Sequence, residues 1–257
     1  MSEVRAKKSL GQHFLTDLNI AQKICNSLTE RTESEPVAAL EVGPGMGVLT
    51  QYLLQRSDIV TYAAEIDGES VEYLNAHYPQ LTSRLMAGDF LKMNLKEIFP
   101  DGVRVIGNFP YNISSQIFFK IIENRDLVPQ CVGMIQKEVA VRIAEPPGSR
   151  EYGILSVLLQ AWYDIEYLFT VSEKVFNPPP KVKSAVIRMT RNETTDLGCD
   201  EKLFKQIGKT TFNQRRKTLR NSIASILDKS HPLSADPIFN KRPEQLSVQE
   251  FVELTNR

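Results

Sequence analysis

V-A-A-L-E-V-G-P-G-M-G, residues 37–47, is an apolar run that ends in three closely spaced glycines. Apolar residues at helical spacing follow in residues 48–54, so the stretch predicts a strand, a tight turn and a helix. Glycines let the backbone turn sharply and approach a ligand without a Cβ in the way. The spacing is G-x-G-x-G rather than the G-x-G-x-x-G of dinucleotide sites, which argues against an NAD dehydrogenase. By itself, such a turn also fits a purely structural role.

The rest of the first 190 residues continues this alternation. A helix is expected after the start signal Thr16-Asp17, and further strand candidates are residues 60–66, 84–87, 103–107 and 131–136. Strands separated by helices predict a mostly parallel α/β sheet. Apolar and polar side chains alternate strictly in residues 161–169, as in a half-exposed antiparallel strand. With residues 182–189 as its partner, a terminal antiparallel hairpin should close the sheet.

The pattern becomes helical after R-N-E-T-T-D-L-G, residues 191–198. Apolar residues fall at helical spacing in residues 203–211 and 219–227. Ser247-Val-Gln-Glu250 is a capping box that should open a last short helix. We therefore predict two domains: residues 1–192 with the sheet, and a small all-α domain at residues 193–257.

Composition describes an ordinary globular chain. With 42% hydrophobic and 24% charged residues, it is far from disorder, and no apolar run approaches the roughly 20 residues of a membrane helix. The N-terminal stretch M-S-E-V-R-A-K-K is charged and lacks the apolar core of a secretory signal. Three cysteines and three histidines are scattered along the chain. They predict reduced thiols in the cytoplasm and no metal site.

Charge is unevenly distributed although the formal net charge is +0. Residues 174–220 hold 12 basic and 4 acidic side chains, a local net charge of +8. Within that segment, residues 206–220 carry five basic side chains and no acid. Such asymmetry indicates a polyanion-binding face, and a set of solvated helix faces is the alternative interpretation.

Acidic residues follow successive strands of the predicted sheet. Glu65 ends the second strand, where a carboxylate can accept both ribose hydroxyls of a nucleoside cofactor. Asp89 follows the third strand, where it can bind the exocyclic amine of adenine, with Phe90 packing on the ring. Taken singly, each acid fits a surface position. Together they lie beside the crevice in which open α/β sheets bind ligands, which favours a cofactor site.

After the fourth strand stands Asn108-Phe-Pro-Tyr111. An exocyclic amine on adenine is a poor nucleophile because its lone pair is delocalised into the ring. The Asn108 side-chain oxygen and the Pro110 carbonyl can accept its two N–H hydrogens and draw the nitrogen towards tetrahedral geometry, while Tyr111 stacks on the base. A rigid turn with a packing aromatic is the structural alternative.

Together, the motifs resemble those of KsgA-type small-subunit rRNA adenine dimethyltransferases. They are K-K-S-L-G-Q-H-F-L from Lys7, E-V-G-P-G-M-G from Glu41, G-N-F-P-Y-N-I-S-S from Gly107, F-N-P-P-P-K-V from Phe176 and F-N-Q-R-R-K-T-L-R-N from Phe212. The resemblance covers nearly the whole chain. It implies a Rossmann-like S-adenosylmethionine-dependent methyltransferase sheet and a C-terminal helical domain involved in rRNA binding. The implied reaction transfers four methyl groups from S-adenosylmethionine to N6 of two adjacent adenines in the 3′-terminal hairpin loop of 16S rRNA.

The resemblance also assigns roles to single residues. The cofactor would be bound by Gln12, His13, Leu15, Gly43, Gly45, Glu65, Asp89 and Asn108; the target base by Asn108, Pro110, Tyr111 and Phe176; and RNA by Arg215, Arg216, Lys217 and Arg220. Many relatives have Asn in place of His13 and Leu in place of Phe109, so only a side-chain role for His13 is affected. The expected partner is the small ribosomal subunit late in its assembly, and we expect a cytoplasmic monomer without a membrane or metal partner.

Two other functions compete with this one. The 23S rRNA adenine methyltransferases of the macrolide-resistance type also have an Asn-x-Pro-Tyr motif, but the loop from Phe176 and the stretch from Phe212 resemble the small-subunit family. A non-catalytic RNA-binding assembly or transcription factor of the same fold would need neither Asn108-Phe-Pro-Tyr111 nor the acidic residues.

Overall fold

A seven-stranded sheet organises the first part of the chain in the computed structural model, which describes residues 4–30, 35–228 and 230–257. Seven of the strands of the described residues form this sheet, and β1 and β8 pair in a separate one: β1 (Phe14–Leu15), β2 (Val37–Val42), β3 (Ile59–Glu65), β4 (Leu85–Ala87), β5 (Arg104–Asn108), β6 (Gln130–Gln136), β7 (Tyr163–Val171), β8 (Phe176–Asn177) and β9 (Ser184–Arg191). The α-helices are α1 (Leu18–Asn26), α2 (Thr50–Leu53), α3 (Gly68–His77), α4 (Leu95–Ile98), α5 (Ser114–Glu123), α6 (Lys137–Ala144), α7 (Ile154–Gln160), α8 (Glu201–Asn213), α9 (Leu219–Ser222) and α10 (Val248–Asn256).

The strand order in this sheet is β4-β3-β2-β5-β6-β9-β7. The first five strands run parallel, and β9 pairs with β6 in the antiparallel sense. The apolar strands β5 and β6 are buried almost throughout, as expected for strands covered on both faces. The mostly parallel sheet that ends in an antiparallel hairpin is therefore confirmed.

Local sequence signals fix several helix ends as expected. The Asp17 side chain caps α1 by accepting the backbone N–H groups of Asn19 and Ile20 at 2.9 and 3.1 Å. At α10, Ser247 and Glu250 form the predicted reciprocal box, with distances of 3.0 and 3.1 Å. Each pair satisfies backbone donors that the first helical turn leaves without partners.

Two predicted helices are shorter than the apolar spacing indicated. Only residues 50–53 of the predicted helix at 48–54 are α-helical, and the helix expected across residues 219–227 is α9, which ends at Ser222. Past that point the Ile226 N–H bonds to the Ile223 carbonyl, a three-residue turn. Asn and Ser side chains compete for backbone hydrogen bonds and disfavour helix interiors, which explains the early end of α9.

The chain divides into two compact units. The first comprises Met1–Ala140 and Glu166–Arg191, and the second comprises Val141–Ile165 and Asn192–Arg257. The boundary between Arg191 and Asn192 lies one residue before the predicted one at 192/193, and Val141–Ile165 groups with the helical unit, whereas the prediction placed it with the sheet. The assignment of methyl transfer to residues 1–192 and RNA binding to residues 193–257 stays a prediction.

Each unit has its own apolar core. In the first, α1, β2, β5, β6 and β9 pack together, and the two-stranded sheet β1–β8 adds Leu15 opposite Phe176. In the second, the aromatic rings of Tyr152, Phe212 and Phe251 lie in contact, with neighbouring centroids 6.2 and 5.9 Å apart. Among the described residues, none of the helices combines the length and apolar character needed to span a bilayer.

Candidate active site

A cavity of 270 Å³ lies in the first unit at the carboxyl ends of the parallel strands. Its walls come from segments 9–14, 42–45, 64–66, 88–91 and 108–113. Nine of the residues assigned from sequence line it: Gln12, His13, Gly43, Gly45, Glu65, Asp89, Asn108, Pro110 and Tyr111. Because parallel strands present their carboxyl ends at one edge, turns far apart in sequence meet here.

The glycine turn forms one wall of the cavity. Gly43 and Gly45 have φ angles of 69° and 56°, in the left-handed region that side chains disfavour. A Cβ on Gly45 would lie 2.9 Å from the Phe14 ring, so the N-terminal segment also requires glycine there. The turn is therefore shaped by backbone conformation and by close packing, as well as by any ligand.

Glu65 is the best-defined acid of the cavity. Its carboxylate is 3% exposed and accepts the Gly45 N–H at 3.0 Å and the Asp67 N–H at 2.9 Å. Burial raises the pKa of this carboxyl, and the backbone hydrogen bonds oppose that shift. A carboxylate has about four acceptor positions, so two hydroxyl groups can still be accepted. The residue fits the predicted ribose contact.

Asp89 and Phe90 lie on the adjacent wall. The Asp89 Oδ1 atom accepts the Leu91 N–H at 2.9 Å, which fixes the orientation of the carboxylate at the start of a short 3₁₀ turn. The Phe90 ring is 4% exposed and lines the cavity beside it. An acid next to an aromatic ring suits an adenine with its exocyclic amine.

Asn108 ends β5 and is oriented by the N-terminal segment. Its Nδ2 atom donates to the His13 carbonyl at 2.9 Å, so the amide oxygen is the end left to accept a hydrogen bond from a ligand. The Pro110 carbonyl accepts the Ile113 N–H at 3.2 Å and keeps a second lone pair. Both acceptors predicted for the adenine amine therefore lie at the cavity with acceptor capacity remaining.

Tyr111 is held at both ends of its side chain. Its hydroxyl hydrogen-bonds to the Ser184 hydroxyl, and its ring lies 5.4 Å from the His13 ring, centroid to centroid. The His13 Nδ1 atom in turn donates to the Pro178 carbonyl at 2.8 Å. Two segments of the first unit, through His13 and Ser184, therefore contact the side chain expected to stack on the base, and a third segment fixes His13 through Pro178.

The N-terminal segment that carries Gln12 and His13 is anchored across the cavity. Lys7 forms an ion pair with the buried carboxylate of Asp67 and a second with Glu69 at 3.1 Å. The Gln12 side-chain oxygen accepts the Lys7 N–H at 2.7 Å, so this side chain braces its own segment. Among the described residues, no cluster of three potential ligands could hold a metal ion.

Leu15 and Phe176 are not among the residues that line the cavity, and their assignment to the cofactor and the target base stays a prediction. They face each other in the β1–β8 sheet, are 3% and 4% exposed, and belong to the apolar core of the first unit. Burial of these apolar side chains is favourable, which explains why they point inward.

The four residues assigned to RNA binding belong to the second unit. They lie in the turn after α8 and in α9, rather than along one continuous helix. Arg215 donates to the carbonyls of Ser149 and Arg150, and Arg220 donates to Asn240 at 3.1 Å. Arg216 and Lys217 are exposed. Arg215 therefore also stabilises a loop of its own unit.

Sequence reasoning missed several residues at the site. Phe14 packs on the glycine turn, Ile66 lines the cavity although 55% exposed, and Ser184 bonds Tyr111. An apolar residue directly after the acid at a strand end could have identified Ile66. The Ser184 contact joins residues 73 positions apart and has no local signal.

A family profile and individual relatives both match nearly the whole chain. The sequence profile of the family described as "Ribosomal RNA adenine dimethylase" matches residues 3–254. A protein of Phocaeicola vulgatus named "Ribosomal RNA small subunit methyltransferase A" is 65% identical and is covered over 91% of its length by 100% of this chain. The protein of that name from Porphyromonas gingivalis is 56% identical, with 99% of this chain and 98% of the relative covered.

Solved structures show the same fold. A dimethyladenosine transferase from Plasmodium falciparum superimposes with a TM-score of 0.75 at 25% identity, over 94% of this chain and 96% of that one. The 23S rRNA methyltransferase ErmE superimposes with a TM-score of 0.67 at 22% identity, over 95% and 100% of the two chains. The latter likeness, at that identity, concerns the fold alone.

Proposed function

The chain belongs to the ribosomal RNA adenine dimethylase family, and we propose that it transfers four methyl groups from S-adenosylmethionine to N6 of two adjacent adenines in the 3′-terminal hairpin loop of 16S rRNA. The relatives named small subunit methyltransferases support the choice of rRNA. The observation that carries the reaction is Asn108, whose amide nitrogen is engaged by His13 and whose amide oxygen is left for the target amine.

The residues of the cavity fit S-adenosylmethionine. The Glu65 carboxylate can accept the two ribose hydroxyls, and Asp89 with Phe90 can bind the adenine edge and face. The position of a Cβ on Gly43 is open space, so the backbone there is accessible to the methionine part, whereas at Gly45 the Phe14 ring occupies that position. When bound, this cofactor supplies an electrophilic methyl group on its sulfonium.

The target adenine must leave any base stack to reach the cavity, as for other enzymes that modify a base. Tyr111 offers an anchored ring on which it can stack, an interaction worth about 1–3 kcal/mol. The Asn108 amide oxygen and the Pro110 carbonyl accept the two amine hydrogens and direct the nitrogen lone pair out of the ring plane. Each transfer replaces one N–H by N–CH₃, so the second transfer can use only one of these two acceptors.

Contact with the small subunit is proposed to involve the basic residues of the second unit. Arg216 and Lys217 are exposed, and residues 206–220 contain no acidic residue, so these two side chains can contact phosphates. Arg215 and Arg220 support the same surface while bonding to their own unit. We propose a monomer that acts in the cytoplasm on a late assembly intermediate of the small subunit.

The 23S rRNA alternative is less well supported. Similarity to ErmE concerns the fold alone, whereas the relatives at 56–65% identity carry the small-subunit name. A non-catalytic assembly factor would not need Glu65, Asp89 and Asn108 gathered at one cavity.

The test is transfer of label from radioactive S-adenosylmethionine to undermethylated ribosomal particles. Small subunits should be labelled, and undermethylated large subunits, supplied as the matched control, should not. Label in the large subunit alone would favour the 23S alternative. Unlabelled particles of both kinds, with cofactor bound, would favour the non-catalytic one.

A further inference from the structure

Ser184 is a buried hydroxyl that touches the candidate site from outside the cavity. It is the first residue of β9, is fully buried, and hydrogen-bonds to the Tyr111 hydroxyl. It does not line the cavity itself. Any effect on a bound base must therefore pass through Tyr111.

The sheet topology explains why these residues meet. β9 runs antiparallel to β6, so its first residue lies at the edge where the parallel strands end. Ser184 pairs with Gln136, and Asn108 at the end of β5 pairs with Met134, two residues earlier in β6. The backbone of β6 thus fixes the distance between the start of β9 and the turn that carries Tyr111.

Tyr111 has two separate supports. Ser184 holds its hydroxyl, and the His13 ring lies against its ring at an interplanar angle of 32°. His13 is itself fixed by the Pro178 carbonyl. A side chain restrained at its tip and along its ring loses little additional freedom when a base stacks on it, which is the advantage of preorganisation.

We propose that Ser184 is a positioning residue for methyl transfer, which holds the Tyr111 ring in the orientation that receives the target adenine. This inference rests on the proposed function. Because Ser184 does not line the cavity and acts through Tyr111, its contribution is expected in the methyl-transfer step and not in affinity for the particle.

Three variants isolate the hydrogen bond: Ser184→Ala, Tyr111→Phe and the double variant. Each single change removes the same bond, so each should lower the single-turnover transfer rate by about 2- to 10-fold, the range of one neutral hydrogen bond. The double variant should match either single one instead of multiplying the losses. Cofactor affinity and the KM for small subunits should stay at parental values.

Thr61→Val is the matched control. Thr61 lies on β3, is 3% exposed, and its hydroxyl has no hydrogen-bond partner in the described part of the chain. The variant should methylate at the parental rate. It measures how the transfer rate responds to the loss of a buried strand hydroxyl that does not hold an aromatic ring.

The outcomes separate this inference from the proposed function. If the parental protein does not methylate small subunits, both the proposed function and the positioning role are refuted. If the parent is active but Ser184→Ala transfers methyl groups at the parental rate, or if the losses multiply in the double variant, only the positioning role is refuted. If Ser184→Ala does not fold, Tyr111→Phe still decides, since a parental rate there excludes any role for the bond.

Discussion

Replacing Glu65 by Ala should weaken cofactor binding more than any other single truncation of an acid at the cavity. The carboxylate is held by the N–H groups of Gly45 and Asp67 at 3.0 and 2.9 Å, so it cannot move away from the bound ribose. Two hydrogen bonds from hydroxyls to a charged acceptor contribute about 1.5–3 kcal/mol each. Their loss corresponds to a dissociation constant about 10²- to 10⁴-fold higher.

Glu65→Gln gives an intermediate case with little change in volume. One carboxylate oxygen becomes an amide NH₂, which meets a backbone N–H donor and cannot accept a hydroxyl hydrogen. Binding should weaken by about 10- to 100-fold, the value of one such bond. Titration calorimetry with S-adenosylmethionine or S-adenosylhomocysteine measures both variants, and NAD should not bind to either.

Glu166→Gln is the control for charge removal. Glu166 also accepts two hydrogen bonds, from Arg188 at 2.7 and 2.9 Å, but it does not line the cavity. Its replacement should leave the dissociation constant unchanged. If folded Glu65→Ala protein binds S-adenosylmethionine with a dissociation constant within about threefold of the parental value, the ribose assignment is refuted. Such a change in binding free energy is smaller than the typical contribution of one neutral hydrogen bond.

Three further predictions concern other parts of the chain. Glu41 is 1% exposed, and burial raises its pKa to about 8. As pH rises, the unfolded chain releases this proton before the folded one does, so the free energy of unfolding falls between about pH 4.5 and 8. Glu41→Gln should remove up to about 5 kcal/mol of that fall, as measured by denaturant titrations across this pH range. Phe176→Ala should lower the free energy of unfolding by about 3–5 kcal/mol, because the ring is buried in the core. Joint replacement of Arg215, Arg216 and Lys217 by Ala should flatten the log–log salt dependence of subunit binding by about 0.7–0.9 for each phosphate that the variant no longer neutralises, with cofactor affinity unchanged.

Each of these predictions has an opposing outcome. Equal pH profiles for Glu41→Gln and the parent would mean that this carboxyl titrates normally in the folded protein. A Phe176→Ala variant of parental stability with slow transfer would instead favour the base-stacking role predicted from sequence. An unchanged salt slope for the triple variant would mean that these side chains are a solvated surface or serve only their own unit.

The sequence allowed prediction of those site residues that local rules govern. Gly43, Glu65 and Asp89 follow apolar runs, and parallel strands bring such positions to one edge. The same reasoning placed Asn108 and Tyr111 beside them. The positions of these residues follow from strand periodicity and from the residue types at turns, which can be recognised in a single sequence.

The remaining features depend on contacts between distant segments. Leu15 and Phe176 were assigned to the site, but their pairing with each other from distant parts of the chain buries both. No local pattern specifies the β1–β8 sheet, whose two strands have only two residues each. The engagement of Asn108 by the His13 carbonyl and of Tyr111 by Ser184 likewise follows from tertiary packing.

Mapping of the modified bases decides whether this protein dimethylates the two adenines of 16S rRNA through Asn108. Undermethylated small subunits are incubated with S-adenosylmethionine and either the parent or Asn108→Ala, and their 16S rRNA is then mapped by mass spectrometry of its fragments. We expect N6-dimethyladenine at two adjacent positions of the 3′-terminal hairpin loop with the parent, and almost none with Asn108→Ala, although that variant still docks on the subunit. Modification elsewhere or no modification with the parent would contradict the proposed reaction, and a parental rate with Asn108→Ala would contradict the role of Asn108.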